Sequence, residues 1–385
     1  MMKKQMMNTK RVKIRPESFG GIIFDPNLKL TAYVDREFMR KLGCSEFPEI
    51  DHLSAPEIVH VEVTKRCPLN CKHCYSADRE SCEEELTAKQ MKELIDILAE
   101  MNVFQIAFGG GEPFSREDFL EIARYAYDCG IIPNVTTNGV LIENYMDKLD
   151  IFGQINVSLD GADEETYFRV RECKAFRQAL KAVKTLAGSF DVGINVVVTR
   201  HNFEKLQDIF ELAEELGVRE VMLIRVKPVG RCEECYEDLR LSRSQLNRLD
   251  STIRALLDYD VALRVDCAFM PFLNVDENVM IGMQGCDCGI SSLAVKADGK
   301  VVPCSFLNYN LGYYTDIKRI WDGMDEFRNY TVEECNGCDK VEICRGGCRV
   351  FGEKFGSGIF GADVECPRIL SAVGYEFDSR EGGAR

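Results

Sequence analysis

Between Ile58 and about Arg231 the chain alternates apolar, β-branched runs with segments whose apolar residues recur at helical spacing. Strands buried on both faces read as continuous apolar runs, so this alternation predicts repeated βα units around a parallel sheet. The strand runs are Ile58–Thr64, Phe104–Phe108, Ile132–Thr137, Gln154–Leu159, Val192–Thr199 and Glu220–Val226. The first helix opens with a capping box, Thr87 with Gln90, and carries one apolar face of Met91, Leu94, Ile95, Leu98 and Met101. Ser115 is expected to cap the next helix, which stops at Cys129 before Gly130. Six units fit this span, whereas an eight-unit barrel needs about 250 residues. The expectation is an α/β fold, a partial (β/α)6 TIM-like barrel over residues 56–240.

The flanks read differently. Residues 1–55 hold three short strand-like runs, 11–15, 20–25 and 29–34, split by Pro16, Gly20, Pro26 and Asn27, and then a helix-like segment, Arg36–Leu42. They predict a small β-rich module. Residues 241–284 read as a linker helix, Ser242–Tyr259, followed by a strand. From residue 285 to 385 periodicity fades while cysteines accumulate, and a segment with so little apolar surface is expected to fold around its ligands.

Composition narrows the chemistry. A chain of 385 residues accommodates two or three domains. Its net charge of −15, with no clustered Lys and Arg, argues against a nucleic-acid surface. No apolar run approaches the length of a bilayer, and the start, Met1 to Arg15, is polar and basic without a signal-peptide core, so a cytoplasmic protein with no membrane partner is expected. Eighteen cysteines against four histidines then point to thiolate-held metal, and to iron–sulfur sites in particular, rather than to disulfides.

The stretch Cys67-Pro68-Leu69-Asn70-Cys71-Lys72-His73-Cys74 lies just beyond the first strand, at what is the active face of α/β barrels. Three thiolates at this spacing can wrap one compact centre and leave a four-iron cluster one protein ligand short. Zinc sites usually combine two separated pairs. Other strand ends carry Gly109-Gly110-Gly111-Glu112-Pro113, where glycines allow close backbone approach to a ligand, Thr136-Thr137-Asn138-Gly139, and Val157-Ser158-Leu159-Asp160-Gly161 followed by Arg169 and Arg171. Asn195 and Arg225 are polar residues on later strands. Cys232 and Cys235 form a C-x2-C pair in an expected polar turn, 231–238, with exposed thiols.

The C-x3-C-x2-C loop with His73 before its last cysteine resembles the radical S-adenosylmethionine (radical SAM) superfamily. That resemblance implies a 4Fe-4S cluster on Cys67, Cys71 and Cys74 whose open iron is chelated by S-adenosylmethionine, and one-electron cleavage to a 5′-deoxyadenosyl radical. It implies that Gly110, Gly111 and Glu112 form the family's GGEP motif at the S-adenosylmethionine ammonium, that Ser158 meets the ribose, that Arg169 or Arg171 meets the carboxylate, and that Asn195 is a further cofactor contact. Cys286, Gly299, Cys304, Cys335, Cys338, Cys344, Cys348 and Cys366 are spaced as in the SPASM extension. Family ligation implies one auxiliary 4Fe-4S cluster on Cys335, Cys338, Cys344 and Cys366 and another on Cys286, Cys304 and Cys348, with Cys288 or Cys267 as its fourth ligand or with an open iron. Three 4Fe-4S clusters and an external one-electron donor such as flavodoxin or ferredoxin follow from the resemblance. So does a ribosomally made peptide as substrate, crosslinked through a thioether or carbon–carbon bond. Residues 11–45 resemble the first half of leader-peptide-binding modules, a barrel-capping meander being the alternative. Ser305 stands where sulfatase-maturing relatives have an acidic base, against formylglycine formation. A small-molecule or tetrapyrrole-modifying radical SAM oxidoreductase is the rival, and a non-catalytic Fe–S electron carrier, with no use for Glu112 or Ser158, the alternative of another class.

Overall fold

The computed structural model describes residues 12–28, 30–77, 84–274 and 285–373. Arg11 and Lys29, expected to open two strands, residues 275–284 of the expected linker, and the terminal stretches 1–10 and 374–385 lie outside the described residues. Three strands, β1 (Lys13–Glu17), β2 (Gly20–Asp25) and β3 (Leu30–Asp35), pair antiparallel in that order. Helix α1 (Arg36–Lys41) follows at once because the Asp35 side chain accepts from Phe38 N at 2.8 Å and caps it. Ile22 and Phe24 pack on Phe104 and Ile132, at the N-terminal ends of two barrel strands. Buried Arg15 pairs with Glu17 at 2.6 Å and donates to Pro56 O at 3.0 Å. The small sheet therefore seats on the base of the barrel.

The barrel consists of β4 (Ile58–Thr64), α2 (Ala88–Glu100), β5 (Gln105–Gly110), α3 (Phe119–Asp128), β6 (Ile132–Thr137), β7 (Ile155–Ser158), α4 (Glu164–Arg171), α5 (Phe176–Ala187), β8 (Val192–Val198), α6 (Leu206–Glu215) and β9 (Glu220–Arg225). Then come α7 (Cys232–Leu239), α8 (Arg243–Ala255), β10 (Ala262–Val265), β11 (Ser292–Val295), β12 (Lys300–Val302) and β13 (Gly312–Tyr313). One sheet runs β10-β9-β8-β7-β6-β5-β4-β11-β12-β13, parallel from β10 through to β11. Alternate residues such as Val59, Val61, Ile106, Phe108, Val157, Ile194 and Leu223 are buried in the core beneath the helices. The opposite alternates, His60, Glu62, Asn134, Thr136, Ser158 and Asn195, are half-buried and give the sheet a polar second face. The capping box of α2 is present, with Met91, Leu94, Ile95 and Leu98 buried. No helix among the described residues is long and apolar enough to cross a membrane.

Two expectations are corrected. Ser115 does not cap α3, which starts at Phe119; Pro113–Ser115 is a separate 3-10 turn, nucleated because Pro113 fixes the backbone and Glu112 accepts from Phe114 N. Residues 231–238 are not an open polar turn, because Cys232, Tyr236 and Leu239 fall on one helical stripe and are buried as α7. Over residues 241–284 the expected helix and strand appear as α8 and β10, and β10 pairs in parallel with β9, which extends the barrel sheet.

The C-terminal region is fastened by charge. Arg225, at the end of β9, is buried and donates to Asp363 at 2.7 Å, to Ala268 O at 2.9 Å and to Glu365, with Phe351 stacked 3.8 Å beneath its guanidinium. Tyr236 OH donates to the other oxygen of Glu365 at 2.9 Å. Removing one partner of a buried ion pair costs about 3–5 kcal/mol, because the remaining charge stays desolvated. Arg225→Leu should therefore lower the thermal midpoint of the anaerobically prepared protein sharply, and a melt superimposable on that of the parent would show the pair to be dispensable.

Candidate functional site

The cysteine loop leaves β4 at Thr64 and folds over the end of β5. Gly111 N donates to Thr64 O at 2.7 Å and Glu112 N to Arg66 O at 2.8 Å. A Cβ on Gly111 would meet Arg66 O at 2.2 Å, and one on Gly110, which has φ +122°, would meet Thr64 O at 2.4 Å. The two glycines thus admit the backbone of the cysteine loop itself. Cys67 is exposed, Cys71 buried and Cys74 half-buried. Asn138 Nδ2 lies 3.6 Å from Cys67 Sγ, and Arg171 Nη1 lies 3.5 Å from Cys71 Sγ. Cys173 Sγ is 3.7 Å from Cys71 Sγ. Behind the loop, Lys72 N donates to Arg171 O at 2.9 Å, and Arg231 donates to Cys74 O and Cys71 O, each at 3.0 Å. A cleft of about 250 Å3 opens beside Cys67 and Cys74, lined also by Asn70, Ser76, Gly111 and Arg231.

Two buried carboxylates hold this loop, in opposite electrostatic states. Asp160, at the end of β7, accepts from Arg171 Nε at 2.6 Å, Val197 N at 2.7 Å and His73 at 2.9 Å. Burial alone would raise its pKa, but the Arg171 charge and the His73 bond override it and hold the group at about 2. Glu112 accepts from Asn138 N at 2.7 Å, Thr137 Oγ1 at 2.8 Å and Phe114 N at 3.3 Å. Here burial prevails over the three donors and pushes the carboxyl up to about 7. No cation stands against Glu112 among these partners.

The structure brings Cys67, Cys71, Cys74, Gly110, Gly111, Glu112 and Arg171 into one neighbourhood. Ser158 and Asn195 stand side by side in register on the polar sheet face, and Asn195 Oδ1 is buried without a partner. Arg169 lies elsewhere, on the exposed side of α4, paired with Glu165 at 2.7 Å. Arg225 is committed to Asp363 and Glu365. Cys232 is buried rather than exposed, and Cys235 donates to Lys72 O at 3.5 Å, so the pair packs behind the cysteine loop. Sequence reasoning missed Asp160, Asn138 and Cys173. For the first two the signal was a polar residue directly after an apolar strand run; Cys173 carried none.

Nine further thiols gather in two places. Cys335, Cys338, Cys344 and Cys366 line a cavity of about 220 Å3 with Pro271 and Phe272. Cys267 lies beside Cys286 and Cys348, Cys286 also beside Cys288, and Cys288 beside Cys304, so five free thiols share the second place and both fourth-ligand candidates are present. A single zinc ion with sulfurs about 2.3 Å away would hold them all about 3.8 Å from one another. Among the described residues no trio that includes a cysteine has its ligand atoms all within 4.8 Å. The wider convergence fits a multi-iron cluster, as does the all-thiolate donor set.

A parallel barrel with a three-thiolate loop past its first strand, continued by a thiol-rich extension, defines a radical SAM enzyme with an iron–sulfur extension. Residues 61–213 match the Radical SAM superfamily, and residues 286–349 match SPASM, an iron-sulfur cluster-binding domain. The chain belongs to this superfamily. It is 31% identical over 338 residues to the mycofactocin maturase MftC of Mycobacterium ulcerans, spanning 82% of this chain and 88% of that one. It is also 31% identical over 324 residues to the AdoMet-dependent heme synthase of Methanosarcina barkeri, spanning 77% and 92%. In fold it resembles Streptococcus suis SuiB bound to the precursor peptide SuiA, with a TM-score of 0.73 over 93% of this chain and 99% of that one, at 17% identity.

A carboxylate near pH 7 gives a test. Below about pH 7 Glu112 takes up a proton and loses the charge that would attract an ammonium, so S-adenosylmethionine should bind the reconstituted protein more weakly as pH falls through that value. Glu112→Gln should bind weakly at every pH and keep its iron. Equal pH dependence of the dissociation constant in the two proteins would remove Glu112 from the cofactor site.

Proposed function

We propose that this enzyme matures a ribosomally made peptide, abstracting a hydrogen atom and closing a thioether or carbon–carbon crosslink. The observation that carries the reading is the pair of thiol groups beyond the barrel, Cys335, Cys338, Cys344 and Cys366 in one and Cys267, Cys286, Cys288, Cys304 and Cys348 in the other. A crosslink removes two hydrogens from the substrate, one as the abstracted atom and one as a proton, and the electron left behind needs an acceptor inside the protein. Two auxiliary 4Fe-4S clusters on these thiols meet that need. The identity to a maturase and the fold shared with a protein holding its precursor peptide support a peptide as substrate.

Bound together at the barrel, a cluster on Cys67, Cys71 and Cys74 and S-adenosylmethionine supply the adenosyl radical chemistry. The chain's own residues position and shield. Asn138 and Arg171 donate toward the sulfurs of Cys67 and Cys71, Glu112 meets the S-adenosylmethionine ammonium, and the Ser158–Asn195 pair faces its ribose, with Asn195 Oδ1 as a free acceptor. Arg171 is committed to Asp160 and Cys71, so it acts on the loop rather than as an open carboxylate fork. A small external electron-transfer protein is the electron source. At the barrel base β3 is an edge strand exposing Leu30 and Tyr33, and an extended leader peptide would pair there by strand addition.

Two predictions test this. Three four-iron clusters should give about twelve irons per chain, and Cys338→Ala about eight. That variant should still release 5′-deoxyadenosine, because the barrel is intact, while leaving a precursor peptide unmodified. Full crosslinking by the variant would make the C-terminal clusters dispensable. Conversion of a porphyrin in place of any peptide, under the same anaerobic conditions, would move the substrate class to that of the heme synthase relative.

A further inference from the structure

Helix α4 stops at Arg171 because Glu172 turns the chain through the left-handed region, with φ +53° and its N–H donating to Phe168 O at 2.7 Å. A glutamate seldom adopts that backbone conformation, so contacts with the surrounding structure hold it there. Those contacts are consecutive along the chain and all meet the cysteine loop. Arg171 O accepts from Lys72 N at 2.9 Å, the Glu172 carboxylate accepts from Lys72 Nζ at 2.8 Å, and Cys173 Sγ lies 3.7 Å from Cys71 Sγ. Three residues in a row thus grip two residues of the loop, and the strained turn is what delivers Cys173 to Cys71.

Cys71 is the buried member of the three loop thiols. Two donors converge on its sulfur, Arg171 Nη1 at 3.5 Å and the Cys173 thiol. Between two free thiols either sulfur can donate. A ligating sulfur is a thiolate with no proton left, so with metal on Cys71 the donor is Cys173. Tyr167 Oη, on the same helix, is buried without a partner and lies beside Cys173. Its proton is available to the lone pairs of the Cys173 sulfur, which leaves the Cys173 proton for Cys71.

We propose that Cys173 is a positioning residue for the barrel cluster, its S–H donating to the ligating sulfur of Cys71 and, together with Arg171, making that cluster easier to reduce. The inference rests on the reading that Cys67, Cys71 and Cys74 hold a 4Fe-4S cluster. Reduction adds one electron from the external carrier and increases the negative charge on the cluster's sulfurs. Donors aimed at those sulfurs stabilise the reduced form more than the oxidised one, and hydrogen bonds to sulfur are among the levers that set cluster potentials. The lever is longest at Cys71, where burial removes competing water.

The test is a potentiometric titration of the anaerobically loaded, full-length enzyme followed by electron paramagnetic resonance, the barrel cluster's signal being the one that S-adenosylmethionine perturbs. In Cys173→Ala the ratio of reduced to oxidised barrel cluster at a fixed potential should fall at least about threefold, about 28 mV for a one-electron couple. Cys173→Ser keeps a donor and should recover most of that loss, whereas Tyr167→Phe should shift the midpoint in the same direction as Cys173→Ala. Iron content and the dissociation constant for S-adenosylmethionine should stay at the parent's values. An unchanged midpoint in Cys173→Ala, or an equal shift in Cys173→Ser, overturns the inference. If Cys173→Ala loses its barrel cluster, Tyr167→Phe decides: a lowered midpoint there, with a parent-like one in Cys173→Ser, supports the donor role, and an unchanged midpoint overturns it. A parent enzyme with no S-adenosylmethionine-sensitive cluster would overturn instead the reading on which the inference rests.

Discussion

Asp160 is the constraint on which the cysteine loop depends. A carboxylate with no solvent exposure must be matched by charge and donors, and its partners fix three different pieces of chain at once. His73 lies inside the cysteine loop, Arg171 closes α4, and Val197 belongs to β8. The loop would otherwise be a polar excursion with little apolar area to hold it. Arg171 then reaches Cys71 Sγ, so one buried ion pair sets both the position of a candidate ligand and the field around its sulfur. Glu112 plays the complementary part on the other flank, touching Cys67 only through Asn138. The site thus contains one carboxylate whose cation is built in and one that burial holds near neutrality. A positively charged ligand arriving at the second would be neutralised there and would restore its ionised form.

The same sheet carries both of the thiol sites between which the proposed electron route would run. Beyond β9, Val226, Val229, Cys232 and Tyr236 pack in one apolar cluster with Leu307, Cys348 and Phe351, and Cys267 and Cys304 lie against it. Lys227, buried beside Phe306, pairs with Asp266, the residue before Cys267. On the other side Cys235 touches the backbone of the cysteine loop. The corner between β9 and α7 therefore stands between the first thiolate site and the second. Arg225 adds the strongest tie, because a buried guanidinium with two carboxylates resists separation of the region that carries Cys366.

Much of this is legible in the sequence, and the rest is not for identifiable reasons. The strand and helix periods locate β4 to β9 to within a residue or two, since the buried apolar alternates of each strand leave a direct trace in composition. The cysteine spacings locate the thiol groups, because ligation by one segment demands fixed offsets. What the spacings do not carry are contacts between distant segments. The pairing of Asp160 with Arg171 spans 11 residues, but that of Arg225 with Glu365 spans 140. The glycines before Glu112 suggest close backbone approach, and in the structure Gly111 abuts Lys65 and Arg66 while Gly110 abuts Thr64 and Glu62. The stripe in α7 is hidden because cysteine and tyrosine, which bury readily, also suit reactive or polar positions. A strand after the helix of residues 241–284 is legible, whereas its pairing with β9 is a contact between distant segments.

The position of the small N-terminal sheet sets a length requirement on any peptide that binds it. The module meets the barrel at Pro56, Val103, Phe104 and Ile132, at or just before the first residues of β4, β5 and β6, whereas the cysteine loop begins after Thr64 at the other end of β4. A strand rises about 3.3 Å per residue, so the seven residues of β4 separate the two ends by about 20 Å. An extended peptide advances about 3.3–3.6 Å per residue, and a leader paired on β3 would need at least about six residues to reach the cleft beside Cys67, more if it travels around the barrel wall rather than along it. On the proposed reading, recognition and chemistry would be separate events on one chain: a segment bound at the base would raise the local concentration of the reacting residue, and the linker's length would limit which residue along the peptide reaches the cleft.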